Sequence, residues 1–262
     1  MSDFMLKAIL FDLDNTLIDY IYFKKETAKA AAKAMIAQGL PASEKEIYDK
    51  IFQVYEEKGI EYQKTMYEVV KQYNLEINLA EKIQQAGILA YLKRKFEVLK
   101  TYPDVLPTLE KLKEKGLKLA LVSDAPRNKA WQRLIMAGLE NAFDLVITHN
   151  DTEQFKPHPS PFQLALKTLD ISPEEALFVG DNPGRDIRGA KKLGIKTCLA
   201  EYGRVFPEED KADYVIRDFR EMLRILDIQK ENEFHLPKFK RVPERAERGT
   251  HPKEKIPRKS KK

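Results

Sequence analysis

The chain has 262 residues, of which 43% are hydrophobic and 33% are charged, and it contains one cysteine, Cys198. This length fits one large domain or a domain with an insert, and the apolar fraction can form a packed core. One cysteine excludes an internal disulfide, and no stretch approaches the roughly 20 uninterrupted apolar residues that cross a bilayer. The N-terminal residues lack the cleavage site of a signal peptide, so we expect a cytoplasmic protein.

The net charge of +5 is concentrated at one end of the sequence. Residues 230–262 hold 12 Lys/Arg and 5 Asp/Glu, whereas the remaining residues hold 34 Lys/Arg and 36 Asp/Glu. Most of the chain therefore lacks the basic bias of a nucleic-acid-binding protein. Residues 229–262 are polar, basic and spaced by prolines, which predicts a disordered tail. Its charge suits an anionic partner or solubility alone, and its lack of interleaved aromatic residues favours solubility.

The first element in chain order is a short apolar run, Lys7 to Phe11, that is typical of a buried parallel strand. A block with helical spacing follows, and Pro and Gly residues interrupt it. Its predicted helices are Glu26–Ala37, Glu44–Glu57, Tyr62–Tyr73 and Leu79–Leu99. The sequence thus predicts an all-helical cap over residues 17–99, inserted directly after the first strand.

After Thr101 the sequence alternates between strand and helix patterns. The predicted strands are Lys118–Val122, Leu145–Thr148, Ala176–Val179, Thr197–Ala200 and Tyr214–Ile216. The predicted helices are Leu106–Lys115, Asn128–Ala137, Pro161–Leu169, Ile187–Leu193 and a last helix that ends near Asp227. Such alternation predicts a Rossmann-like parallel sheet flanked by helices, an α/β core built from residues 1–16 and 100–228.

Polar side chains follow four of the predicted strands. In open parallel sheets, ligands bind beyond the carboxyl ends of the strands, so these side chains are the candidate site. They are Asp12 and Asp14 after the first strand, Ser123 and Asp124 after the second, Lys156 after the third, and Asp181 and Asp186 after the fourth.

The chemistry of these side chains suits phosphoryl transfer. Asp12 and Asp14 are two residues apart, so both can approach one phosphoryl group from positions about 7 Å apart, one as nucleophile and one as proton carrier. A carboxylate that attacks a phosphate dianion needs positive charge nearby. Mg²⁺ held by Asp12 and Asp181 would supply part of that charge, and Lys156 would supply the rest.

Four segments together resemble the motifs of the haloacid dehalogenase (HAD) superfamily, in the capped phosphatase branch whose helical cap follows the first motif. The resemblance covers about residues 6 to 227. ILFDLDNT is similar to the first motif, SDA to the second, KP to the third, and GDNPGRDIRGAKKLG to the fourth. One acidic pair alone would be weak evidence, but four motifs in order are specific.

The resemblance implies a role for each residue that matches a motif. Asp12 would be the nucleophile, and Asp14 would protonate the leaving alkoxide, activate water and bind Mg²⁺ through its backbone carbonyl. Asp181 would complete the metal site, and Asp186 would support it directly or through water. Ser123, Asp124 and Lys156 would hold the phosphoryl group, although many relatives have Asn at the position of Asp124.

The sequence therefore predicts a Mg²⁺-dependent phosphatase that hydrolyses a small phosphorylated metabolite through a phosphoaspartyl intermediate on Asp12. Glycerol- or glyceraldehyde-type phosphates, sugar phosphates, phosphoglycolate and nucleotides all remain candidate substrates. One alternative is a phosphomutase of the same fold, which would pass the phosphoryl group to a sugar. A second alternative is a non-catalytic binding protein that acts through its basic tail. The cap is expected to be a mobile lid that excludes water.

Overall fold

The computed structural model describes residues 6–205, 207–208 and 210–231. Most of the predicted tail, residues 232–262, lies outside this range, and residues 229–231 belong to the last helix instead. Within the described residues, no helix combines the length and the apolar character that crossing a membrane requires.

The centre of the fold is a six-stranded sheet in which every pair of neighbouring strands is parallel. The strands are β1 (Ala8–Phe11), β2 (Lys118–Val122), β3 (Leu145–Ile147), β4 (Ala176–Gly180), β5 (Lys196–Ala200) and β6 (Tyr214–Ile216). Their order across the sheet is β3-β2-β1-β4-β5-β6. This is a Rossmann order, in which the chain reverses direction across the sheet between β1 and β4 and leaves a crevice there.

Helices cover both faces of the sheet, which is why β1 and β4 are apolar and buried along their whole length. The helices are α5 (Val105–Glu114), α6 (Arg127–Met136), α7 (His149–Thr152), α8 (Ser160–Leu169), α9 (Arg188–Lys191) and α10 (Glu221–Glu231). Phe11 packs in a core with residues of α5, α6 and α10, whereas its neighbour Leu10 packs in a second core with residues of α8 and α9. The alternation along β1 therefore divides its side chains between two cores.

Residues 17–99, the predicted cap, contain four helices that have a third hydrophobic core of their own. They are α1 (Tyr20–Ala37), α2 (Glu44–Lys58), α3 (Thr65–Val70) and α4 (Ile77–Val98). The two segments that join the cap to the α/β core lie side by side, since Ile18 forms an antiparallel bridge with Thr101 and the Tyr102 N–H donates to the Leu17 carbonyl at 2.9 Å. The exact division between cap and core stays a prediction.

Helix α1 begins six residues before its predicted start at Glu26. The Asp19 side chain caps it by accepting a hydrogen bond from the Tyr22 N–H. Tyr20 and Phe23 in the added residues pack into the core beneath the sheet rather than into the cap. The helical spacing that predicts α1 therefore does not include the two residues that anchor this helix to the α/β core.

The helix predicted over Ile187–Leu193 starts earlier and in a different form. A π-helical turn spans Pro183–Ile187 and continues directly into α9. The Asn182 side chain caps this turn by accepting from the Arg185 N–H, and the Asn182 N–H donates to Asp186 Oδ2 at 3.1 Å. The wider turn thus orients the Asp186 carboxylate back toward the end of β4.

Candidate active site

Three of the predicted site residues directly follow strands, and strand pairing continues through two of them. Asp12 follows β1, and its N–H donates to the Val179 carbonyl on β4 at 2.9 Å. Ser123 follows β2, and its N–H donates to the Ile147 carbonyl on β3, also at 2.9 Å. Asp181 follows β4, beside Asp12 at the crevice between β1 and β4. The carboxyl ends of neighbouring parallel strands therefore bring these polar side chains to one edge.

A cluster of three buried carboxylates lies at this edge. One oxygen each of Asp12, Asp181 and Asp186 lies within 4.8 Å of the others. Asp181 Oδ2 is buried and has no hydrogen-bond partner within the described residues. Burial, followed by the charges of Asp186 and Asp12, raises the pKa of Asp181 well above its ordinary value. Buried carboxylates this close repel one another, so positive charge nearby stabilises the ionised cluster.

Lys156 supplies one positive charge to this cluster. Its Nζ lies 2.6 Å from Asp12 Oδ1 and 2.7 Å from Asp186 Oδ1, and it donates to the Val122 carbonyl at 3.0 Å. Only 2% of its side chain is exposed. Burial alone would lower the pKa of Lys156, but the Asp12 and Asp186 carboxylates raise it above the ordinary value, so the ammonium stays charged.

Asp14 lies next to the cluster but faces a different partner. Its Oδ2 accepts a 2.6 Å hydrogen bond from Arg133 Nη1, whereas its Oδ1 is buried without a partner among the described residues. Burial raises the pKa of Asp14 to about 7 despite the opposing effect of Arg133. A carboxyl group with this pKa can both give and take a proton near neutral pH.

Ser123 and Asp124 form the turn after β2. Ser123 is buried, and its Oγ accepts a hydrogen bond from the Ala125 N–H at 3.1 Å, so the hydroxyl proton can be donated elsewhere. Asp124 Oδ1 accepts from the Lys156 N–H at 2.9 Å, and its Oδ2 lies 3.5 Å from Arg185. The helix that follows, predicted from Asn128, starts at Arg127, after Pro126. The Asp124 side chain therefore holds the Lys156 loop in place.

Sequence reasoning did not identify three further residues that surround Asp14. They are Arg133 on α6, Tyr20 at the start of α1, and Glu61 in the turn between α2 and α3. Arg133 is only 4% exposed, although it lies on an amphipathic helix where a charged side chain is normally solvated. Since these residues are far apart in the chain, no local spacing could have indicated that they meet.

The segment Glu201–Gly203 supports the loop that carries Asp14. The Tyr202 hydroxyl donates to the Thr16 carbonyl at 2.6 Å. A Cβ atom added at Gly203 would lie 1.6 Å from the Asn15 carbonyl oxygen, a backbone atom that cannot turn aside. We expect Gly203→Ala to reduce the free energy of unfolding by about 3 kcal/mol, because the two backbones must separate. Urea denaturation measures this loss.

Gly184→Ala is the matched control for this substitution. Its added Cβ would lie 3.2 Å from the Cγ of Glu208, a flexible side chain that can move away. The control is expected to change the free energy of unfolding by less than about 1 kcal/mol. Equal losses in the two variants would contradict the close backbone approach at Gly203.

Comparison with known proteins gives a consistent result. The sequence model that describes the haloacid dehalogenase-like hydrolase family matches residues 9–200 of this chain. Glyceraldehyde 3-phosphate phosphatase of Pyrococcus furiosus is 32% identical over 226 residues, which cover 85% of this chain and 93% of that protein. The enzyme of the same name from Methanocaldococcus jannaschii is 34% identical over 224 residues, which cover 85% and 97%.

A solved structure agrees with these sequence relatives. A HAD phosphatase from Thermococcus onnurineus superposes with a TM-score of 0.61 at 27% identity, covering 84% of this chain and 97% of its own. The family and the phosphatases that resemble the chain leave no support for the alternative of a non-catalytic binding protein. The chain belongs to the haloacid dehalogenase-like hydrolases, and it is a phosphatase.

Proposed function

We propose that this phosphatase is Mg²⁺-dependent and hydrolyses a small phosphate monoester through a phosphoaspartyl intermediate on Asp12. The observation that carries the proposal is the buried cluster of Asp12, Asp181 and Asp186 with Lys156 bound to two of its members. One ammonium group leaves three clustered carboxylates with a net negative charge. A divalent cation would balance that charge before a phosphate dianion arrives.

The residues of the cluster fit Mg²⁺ in their chemistry. All three offer carboxylate oxygens, which this ion prefers, and the buried Asp181 Oδ2 lacks a protein partner among the described residues. Asp12, Asp181 and Asp186 would hold the ion together with the backbone carbonyl of Asp14. When bound, Mg²⁺ polarises the phosphoryl group and offsets its charge.

The Asp12 carboxylate has one oxygen for attack. Its Oδ1 is paired with Lys156, which leaves Oδ2 to form a bond to phosphorus while the bond from phosphorus to the ester oxygen breaks. Asp14 gives its proton to the departing alkoxide, and the product alcohol leaves. Asp14 then takes a proton from water, whose oxygen attacks phosphorus and releases Asp12 and inorganic phosphate. Throughout, Lys156, the Ser123 hydroxyl and the backbone at Asp124 hold the phosphoryl oxygens.

The substrate is proposed to be a small phosphorylated metabolite of the glyceraldehyde phosphate or glycerol phosphate type. Two relatives that align over most of their length carry the name glyceraldehyde 3-phosphate phosphatase. The cap, residues 17–99, is proposed to be a lid that excludes water and surrounds the leaving group.

Metal dependence is the test of this proposal. We expect p-nitrophenyl phosphate and glyceraldehyde 3-phosphate to release inorganic phosphate with Mg²⁺, and EDTA to abolish that release because the carboxylate cluster loses its compensating charge. Restored turnover after excess Mg²⁺ is added back is the control for damage by the chelator. Full turnover in EDTA would refute the metal requirement. A phosphomutase would instead transfer the phosphoryl group to a sugar acceptor, which product analysis detects.

A further inference from the structure

The position of Asp14 defines where the leaving group of the substrate must lie. A general acid has to be within hydrogen-bond reach of the atom it protonates, about 2.6–3.2 Å. The ester oxygen and the atoms attached to it therefore occupy the space beside the Asp14 carboxyl group. This step rests on the proposed function, and the residues around Asp14 then become the residues that face the leaving group.

Arg133 is the cation in contact with Asp14, and two carboxylates already share it. Its Nη1 binds Asp14 Oδ2 at 2.6 Å, and its Nη2 forms an ion pair with Glu61 Oε1. The Tyr20 hydroxyl accepts from Nη2 at 2.9 Å and donates to Glu61 Oε1 at 2.7 Å. Arg133 comes from the core and Glu61 from the cap, so this network joins the two parts directly beside Asp14.

Lys24 lies in the same region but offers little positive charge. It is 5% exposed, its Nζ lies 4.2 Å from the centre of the Tyr55 ring, and it donates to the Tyr91 hydroxyl at 3.3 Å. Burial lowers the pKa of Lys24 to about 7, although Glu61 opposes this effect. The cations near Asp14 are thus a guanidinium whose charge two carboxylates offset and a lysine that is partly uncharged near neutral pH.

We propose that Glu61 is a specificity-determining residue that selects substrates with uncharged leaving groups over substrates whose leaving group carries a carboxylate. An unpaired Arg133 would attract a substrate carboxylate strongly, because Arg binds carboxylates through two parallel hydrogen bonds. Glu61 occupies that position in advance. A substrate carboxylate must therefore displace Glu61 or lie beside it, and like charges repel strongly in a buried site. Hydroxyl and carbonyl groups meet no such repulsion, and a hydroxyl group can donate a hydrogen bond to the Glu61 carboxylate.

Glycerol 3-phosphate and 3-phosphoglycerate test this proposal, since they share a three-carbon skeleton and differ in a terminal hydroxymethyl or carboxylate group. We expect wild-type kcat/KM to be at least about tenfold higher for glycerol 3-phosphate. Glu61→Gln keeps the shape of the side chain and removes its charge, so this preference should fall about tenfold. Because the two substrates are compared by ratio, any change in the shared phosphoryl chemistry cancels.

Glu57→Gln is the matched control, since Glu57 is exposed on α2 and bonds only to the surface residue Gln53 among the contacts observed for it. It should leave the ratio unchanged. A wild-type preference for 3-phosphoglycerate would overturn the proposal without any variant, as would a Glu61→Gln variant that slows both substrates equally. Hydrolysis of p-nitrophenyl phosphate with Mg²⁺ distinguishes a failure of the Glu61 specificity role from a failure of the proposed function. If it occurs while the ratio fails to change, only the specificity role of Glu61 is wrong; if it does not occur, the proposed function itself fails.

Discussion

Replacing Asp12 with asparagine is expected to lower kcat at least about 10³-fold, because the amide oxygen cannot form the phosphoryl ester on which turnover depends. The same change removes one carboxylate from the cluster that faces Lys156. In wild-type protein mixed with ³²P-labelled substrate and quenched in acid, we expect label on the protein that hydroxylamine releases, as an acyl phosphate requires. Asp12→Asn should carry no such label.

Two further variants show whether Asp12→Asn loses activity because Asp12 is the nucleophile. Asp49→Asn makes the same chemical change on the surface of α2, where Asp49 pairs with the exposed Lys45, and it should retain full activity. Asp14→Asn should still become labelled by p-nitrophenyl phosphate, whose leaving group needs no protonation, but should lose the label slowly. Turnover by Asp12→Asn within about tenfold of wild type would show that another group attacks phosphorus.

The fold and the grouping of polar residues at the strand ends were predictable because their signals are local. The apolar run ending at Asp12 and the strand ending at Gly180 each precede polar residues, and the parallel order of β2, β1 and β4 then brings those residues together. The observed sheet confirms the predicted Rossmann-like core. The orientation of Asp186 could not be predicted from a strand end alone, because a π-helical turn after Asn182 sets the direction of its side chain.

The network of residues around Asp14 was not predictable in the same way. Arg133, Glu61 and Tyr20 come from a core helix, a cap turn and the first residues of α1, and only the packing of cap on core makes them neighbours. Arg133 also lies within an otherwise ordinary amphipathic helix, where a charged side chain is normally solvated. Residues proposed to bind the phosphoryl group therefore follow from strand ends, whereas residues proposed to select the leaving group follow from tertiary contacts.

Lys156→Met is expected to destabilise the metal-free protein by about 3–5 kcal/mol, although methionine fills nearly the same space. The ammonium contacts Asp12 and Asp186, and 11% and 2% of those two side chains are exposed. Removing one partner of a buried ion pair leaves the other charge uncompensated, which costs far more than exchanging the whole pair for apolar residues. Urea denaturation in EDTA measures the loss, and Lys167→Met, on the exposed side of α8, controls for the general effect of the substitution.

Mg²⁺ should recover part of this loss, and that recovery links the stability of the cluster to its proposed ligand. A cation that binds the folded state and not the unfolded chain stabilises the protein in proportion to the logarithm of its concentration. In Lys156→Met, the unpaired carboxylates of Asp12, Asp181 and Asp186 should therefore give a larger stability gain on adding Mg²⁺ than the wild type shows. Activity should remain low even then, because the metal would not replace the lysine that is proposed to hold the phosphoryl oxygens. An equal gain in both proteins would mean that the carboxylate cluster is not where the ion binds.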